Sequence, residues 1–449
     1  MSDMVVPRDI AFAVAKMERF NRNRFRLETN GATTAGPSSI VTLSLPSNAI
    51  LDLRSFKVHL DVQTTSDATS TNAIYAKLPS DSSSLIQQCE VYCGGVQISQ
   101  GFSEYNTVSR VKKLVHSSRD RETSVDGTLS HGLISEDDAI EQVSMIFKPC
   151  IGLFAESSTR YLPTSLTGDI SVRLTLASTA VLAYKEVTVN MGGSFTDAAA
   201  RVAALNTTYS VVDIHATVDT VQISDVYEKM LLDRLSREET LNINMKEYYT
   251  FALHGTTGTA HDVRFSLSAS SIDAIYTVCR DANYQTAGVA TRDYSGATLS
   301  DDHCANFFKF KAFNNATTAR GSVRFQYNCN NVQHPQYQAD ILDAASDFVM
   351  LTDQHGHSGR GNMVCSLLDF MDGKAVFPLV LNMPSNPVAV QSGYNSRGNN
   401  TQFSFSISGQ TLPAANADTQ LTAALSTLCV VETTAQIRIG GAKQVAVSY

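Results

Sequence analysis

The chain has 449 residues, of which 17% are charged and 43% hydrophobic, with a formal net charge of -8. That balance argues against a chain that is basic throughout, as the electrostatic footprint of a nucleic-acid binder would be, and the best apolar stretches, such as Leu176 to Tyr184, reach about half of the ~20 residues that a membrane-crossing helix needs. The length suits two large β domains of roughly 200 to 250 residues each, and a surface this poor in charge is readily covered by neighbours, because interface centres disfavour charge.

In chain order, the first element is a basic amphipathic arm, placed at residues 1–29. Residues 8–26 carry Arg8, Lys16, Arg19, Arg22, Arg24 and Arg26 against Asp9 and Glu18, a net of +4 that leaves -12 for everything else. Ile10, Ala13, Val14, Met17 and Phe20 recur at helical spacing, which predicts a helix with an apolar stripe and cations on its flanks. Such an arm binds the phosphates of DNA or of anionic lipid, or docks on a neighbouring subunit, and charge alone does not separate these. The segment lacks the continuous apolar stretch and cleavage site of a signal peptide, so synthesis in a cytosolic compartment is expected. The eight cysteines are then expected as reduced, packed thiols, since Cys89 and Cys93, the closest pair, would sit about 13 Å apart on a strand.

From Pro37 onward apolar and polar residues alternate over four to eight positions, the period of strands with one buried face. Phe56 to Val62, Ile170 to Leu176, Val263 to Leu267, Val323 to Tyr327 and Phe403 to Ile407 show it clearly. Besides the arm, helical spacing is confined to short pieces at Tyr105 to Val115, Val226 to Leu235 and Gln338 to Leu351. Long polar loops, among them Asp67 to Asn72, Asn283 to Asp302 and His355 to Asn362, read as insertions on the β scaffold. Many strands with long connections suit a jelly roll better than a tight-hairpin barrel. Tyr209 to Val221 echoes Leu425 to Ile437 in pattern and position, each as the last strand of its half, which points to a duplication. The charged cluster Arg234 to Glu239 makes a linker between halves, with the boundary near residue 238.

Catalytic signatures fail on inspection: there is no phosphate-binding glycine loop and no His-Glu-x-x-His helix. Gly356-His-Ser-Gly-Arg-Gly361 has Arg360 where a nucleophile elbow needs its second glycine. His355 and His357 have only Asp353 nearby to complete a metal site, so a polar loop is the expectation. Asp137-Asp138 and Asp301-Asp302 are adjacent pairs, which on a strand point to opposite faces and cannot converge as acid and base.

Three stretches carry a family likeness. Leu85-Ile-Gln-Gln-Cys-Glu-Val-Tyr-Cys-Gly-Gly-Val-Gln-Ile98, followed by Tyr105-Asn-Thr and a short helix, resembles part of the first jelly roll of double jelly-roll major capsid proteins of tailless icosahedral DNA viruses. Tyr161-Leu-Pro with Asp169-Ile-Ser-Val-Arg-Leu-Thr-Leu-Ala177 is similar to that family's late strands, and Gln391-Ser-Gly-Tyr-Asn-Ser-Arg-Gly398 resembles a loop of polinton-like virus and virophage capsid proteins. The order of these pieces over residues 30–449 carries more weight than any one of them.

The resemblance implies an all-β fold of two consecutive jelly-roll β-sandwiches with short helices in loops, at residues 30–238 and 239–449. It implies a structural, non-enzymatic capsid protein of the virion, with homotrimeric pseudo-hexagonal capsomers tiling an icosahedral shell and no cofactor or metal. The implied partners are further copies, penton and minor capsid proteins, and packaged DNA or an internal membrane, reached from the inner face by Arg8, Lys16, Arg19, Arg22, Arg24 and Arg26. Two rival readings are a secreted jelly-roll carbohydrate-binding or adhesin protein, disfavoured by the absence of Trp, and a polysaccharide-acting enzyme, which needs two converging carboxylates.

Overall fold

A computed structural model describes residues 21–65, 72–77, 81–99, 103–116, 140–188, 208–222, 229, 233, 240–281, 310–314, 321–352, 367–382, 393–398, 401–412, 424–440 and 444–449. The first half contributes β1 (Asn21–Glu28), β2 (Ile40–Ser44), β3 (Ile50–Thr65), β4 (Asn72–Lys77), β5 (Ile86–Cys93), β6 (Val96–Gln97), β7 (Ile140–Phe147), β8 (Tyr161–Pro163), β9 (Ile170–Leu176), β10 (Ala183–Thr188) and β11 (Thr208–Gln222). The second contributes β12 (Leu241–Thr256), β13 (Ala260–Ser266), β14 (Ile272–Asp281), β15 (Arg324–Cys329), β16 (Val332–Asp340), β17 (Val376–Val380), β18 (Gln402–Ser408), β19 (Leu425–Ile439) and β20 (Val445–Ser448). Three helices stand out, α1 (Tyr105–His116), α2 (Ile341–Thr352) and α3 (Leu367–Gly373). Among the described residues no helix is long and apolar enough to cross a membrane.

The strands pair into two main sheets per half. In the first, one sheet runs β1-β11-β3-β7, with β8 on β3, and the other β2-β9-β5-β6, while β10 and β4 form a separate ribbon. In the second, the sheets run β12-β19-β14-β17, with β20 on β19, and β13-β18-β15-β16. With β4, β8, β10 and β20 set aside as accessory, the described strands of each half read in the same order. One sheet takes the first, eighth, third and sixth strands, and the other the second, seventh, fourth and fifth. Two Greek keys wound into two packed sheets give this order, so each half is a jelly roll and the whole a double jelly roll.

Local sequence explains the sheets. β9 and β18 alternate strictly between buried and less buried residues because only one face of each packs into its sandwich. The turn from β5 to β6 passes through Gly94 and Gly95 at φ of 57° and 82°, a left-handed backbone that glycine adopts without strain. Aromatic rings join the two sheets of the second half: Phe377 of β17 stands 4.9 Å from Phe325 and 5.7 Å from Phe405, centroid to centroid. All three are buried, and truncating one to Ala costs about 3 to 5 kcal/mol where the cavity cannot collapse.

The structure departs from the sequence reading in three places. Asn21–Glu28 is not part of an arm but the first strand of the first jelly roll, hydrogen-bonded along β11 from Asn21↔Gln222 to Glu28↔His215. The helix expected from Gln338 starts at Ile341, because Asp340 caps it: its Oδ1 accepts from the backbone N–H of Leu342 at 2.9 Å and of Asp343 at 3.1 Å. β19 is not the final strand, since β20 folds back on it. The helix expected over Ile10 to Phe20 lies outside the described residues, and of Val226 to Leu235 only Lys229 and Asp233 are described, both helical.

Candidate functional site

The most elaborate polar arrangement lies where the two jelly rolls meet. α1, which connects the fifth and sixth strands of the first jelly roll, lies against the outer face of the β12-β19-β14 sheet. Lys112 of α1 reaches Glu156 at 3.0 Å and Glu432 of β19 at 3.2 Å, and its ammonium stands 5.4 Å from the centre of the Tyr248 ring. One turn earlier, Thr107 accepts from Arg280 of β14 at 3.1 Å, and Glu104 takes the same guanidinium at 2.7 Å. The backbone joins in: Lys246 donates its amide to the Glu156 carbonyl at 3.0 Å, and Ser158 donates to that of Asn244 at 2.7 Å.

Behind this contact the charges run deeper. Lys246 of β12 lies 2.6 Å from Asp273 of β14 and 3.2 Å from Glu432, while Tyr276 donates its hydroxyl to Glu432 at 3.1 Å. Charges so far from water persist only when paired and hydrogen-bonded. Burial pushes the Asp273 carboxyl above its ordinary range, against the pull of Lys246. Burial opposes the charge on Lys112 too, but the Glu156 and Glu432 carboxylates outweigh it and raise its pKa. The Tyr248 and Tyr276 hydroxyls are held well above the usual phenol range by burial and by the same carboxylates, so they stay donors.

Of the six cations singled out from sequence, Arg8, Lys16 and Arg19 lie outside the described residues, and the structure brings the other three together on one face of β1. Their charges are locally met. Arg22 bonds Asp219 of β11 and lies 3.5 Å from Asp52, Arg24 donates Nε to Asp219 at 2.8 Å, and Arg26 donates to Glu28 at 2.7 Å. The hydrogen bond from Arg24 holds the Asp219 carboxyl below its usual range. Arg22 and Arg24, with Arg26 also 3.9 Å from Asp213 of β11, therefore stitch an edge strand to its sheet, a role that composition could not reveal.

A second surface of the second jelly roll is apolar. α2 leaves Leu342, Val349 and Met350 at 38%, 43% and 56% exposure, and the edge strand β16 leaves Val332 and Tyr337 more than half exposed. Between α2, β16 and β17 is a cavity of about 320 Å³ lined by His334, Pro335, Met350, Pro378 and Val380. Among the described residues no group of three or more His, Cys, Asp or Glu is placed to hold a metal ion. His355, His357 and the two aspartate pairs lie outside them.

Together the repeated strand order and the docked halves define the double jelly-roll fold found in viral major capsid proteins. In particular, the capsid of PBCV-1 virus matches over 96% of this chain and 97% of its own at 14% identity and a TM-score of 0.59. The Faustovirus major capsid protein matches over 94% and 91% at 10% identity and a TM-score of 0.54. No family model and no curated protein matches the sequence. At such identities the likeness is one of fold.

Proposed function

We propose that the chain is a major capsid protein that builds the shell of a tailless icosahedral DNA virus as homotrimeric, pseudo-hexagonal capsomers. The observation that carries this reading is the identical jelly-roll order in both halves, spanning the chain at the same extent as capsid proteins of that fold. Two similar sandwiches repeated by a threefold axis present six near-equivalent edges, from which one gene product closes a symmetric lattice. The function is geometric, and no catalytic group is needed.

An asymmetry between the halves supports a ring. α2 connects the fifth and sixth strands of its jelly roll, as α1 does in the first. α1 is docked on the other jelly roll, whereas α2 keeps Leu342, Val349 and Met350 partly exposed among the described residues. The receiving face matches this: β19 is buried along nearly all its length, whereas β11 alternates, leaving Asp213, His215 and Thr217 half-buried beside Lys57, His59 and Asp61 of β3. Seating α2 of one copy on β3 and β11 of the next repeats between chains the contact made within one, and covers both surfaces. α1 and α2 also touch within the chain, as successive helices round such a ring do.

The same reading places the protein in the virion, with penton and minor capsid proteins as neighbours. It assigns contact with packaged DNA or an internal membrane to Arg8, Lys16 and Arg19, because Arg22, Arg24 and Arg26 are engaged at the sheet edge. Domain limits follow as residues 21–238 and 239–449. Size exclusion with light scattering tests the trimer directly: a threefold mass at micromolar concentration is expected, and a monomer there contradicts it.

A further inference from the structure

Across the sheet order β12-β19-β14, three side chains meet, one from each strand. Lys246 Nζ lies 2.6 Å from Asp273 Oδ2 and 3.2 Å from Glu432 Oε1, and the three residues are 2%, 1% and 5% exposed. We propose that Lys246 and Asp273 condense into an intramolecular amide crosslink, with Glu432 as the catalytic residue that moves the protons. The proposal does not rest on the shell reading.

The chemistry follows from burial. In water an ammonium and a carboxylate are both strongly solvated and do not condense, but here that solvation is gone. Proton transfer from the ammonium to the carboxylate leaves a neutral amine against a neutral acid, the reactive pair, and the upward displacement of the Asp273 carboxyl favours that form. The Nζ lone pair attacks Cγ, the carbonyl π pair moves onto oxygen, and Glu432 takes a proton from nitrogen and returns it to the departing hydroxyl. One ammonium and one carboxylate give one secondary amide and one water. Nothing is oxidised or reduced, and Glu432 is regenerated.

The surroundings fit the step. Ser271 donates its hydroxyl to Asp273 Oδ1 at 2.9 Å and Thr434 to Oδ2 at 2.5 Å, so both oxygens of the tetrahedral intermediate have donors already in place. Gly393 closes over the carboxyl: its amide donates to Ser271 at 3.0 Å, and a Cβ at this position would stand 2.6 Å from Asp273 Oδ1. That close approach keeps bulk water from reversing the reaction. Lys112 holds the other Glu432 oxygen at 3.2 Å, so the catalytic carboxylate keeps a cation after Lys246 loses its charge. Condensation removes one positive and one negative charge from the interior, and contact distance supplies the effective concentration. The product ties β12 to β14 across β19 and makes the chain between them a closed loop.

Intact mass spectrometry of the denatured full-length chain tests this. The expected mass is one water below that of the sequence, with a proteolytic peptide containing Lys246 joined to one containing Asp273. Glu432→Gln should restore the full mass and separate the peptides while circular dichroism stays that of a β protein. Should that variant not fold, Asp273→Asn serves instead, because attack on a carboxamide expels ammonia and the linked chain is one ammonia lighter. A folded wild-type chain of full mass, with the two peptides separate after prolonged warming, overturns the proposal. So does a loss of water confined to the Asp273 peptide, which marks a cyclic imide, and a crosslink that forms unchanged in Glu432→Gln removes Glu432 from the mechanism.

Discussion

Lys112 and Glu432 lie 3.2 Å apart although 320 residues separate them along the chain. The contact fastens a helix of the first jelly roll to the central strand of the second. It ties the two sandwiches together directly, within a junction that Arg280 and Glu104 extend.

Lys112→Met should therefore destabilise the whole chain. It leaves the buried Glu432 and the half-buried Glu156 with one cation fewer, and breaking a buried pair from one side costs about 3 to 5 kcal/mol. Denaturant titration measures this, and a loss below about 1 kcal/mol, typical of a surface pair, would show that the junction does not hold the halves together.

Acid should weaken the fold through its histidines. His59 and His215 stack with centroids 4.7 Å apart, and burial, then His215, then the cations Lys57, Arg26 and Arg24, lower the His59 pKa from 6.5. Burial lowers His254 and His261 as well. With folded-state pKa values below the unfolded one, the unfolded chain takes up protons first, so stability is full at neutral pH and falls as pH drops below about 6.5. Melting temperatures followed down to about pH 5 should fall less steeply in His59→Gln than in the wild type. Equal slopes contradict this origin.

The thiols should resist alkylation until the chain unfolds. Burial pushes Cys89 and Cys429 up to about 12 and Cys279 up to about 11, while only a thiolate reacts. Native-state labelling with iodoacetamide should be far slower than labelling in denaturant, and a reductant should leave the melting temperature unchanged. Labelling of these three at equal rates in both conditions contradicts the packing.

Met350→Lys should separate assembly from folding. Met350 is 56% exposed on the open face of α2, so the change is expected to stay within about 0.5 kcal/mol in the single chain. Seated against another copy, the same ammonium is desolvated and the apolar burial of Met350 is lost, which a surface pair with Asp61 or Asp213 offsets by only about 0 to 1 kcal/mol. Light scattering should find the variant monomeric with an unchanged circular dichroism spectrum, and an intact trimer would place the interface elsewhere.

The strands that faced water on one side were legible in the sequence, as β9 and β18 illustrate, because burial of one face writes a period of two. β19 is buried on both faces and has no such period, so only its echo of β11 marked it. β1 reads Asn-Arg-Asn-Arg-Phe-Arg-Leu-Glu, with only Phe25 and Leu27 apolar on one face, and its place depends on Asp219, nearly two hundred residues away. The junction was missed because a buried charge and a surface charge look alike in one sequence. A faint signal existed: Glu432 is the sole charge between Leu425 and Gln436, and Asp273 the sole one between Leu267 and Cys279.

Negative-stain electron microscopy of the purified protein would show the proposed capsomer by its outline. Uniform particles of three chains with a hexagonal outline are expected, and at high concentration sheets or closed shells built from them. Monodisperse single chains with no regular outline or lattice under any of these conditions would contradict it.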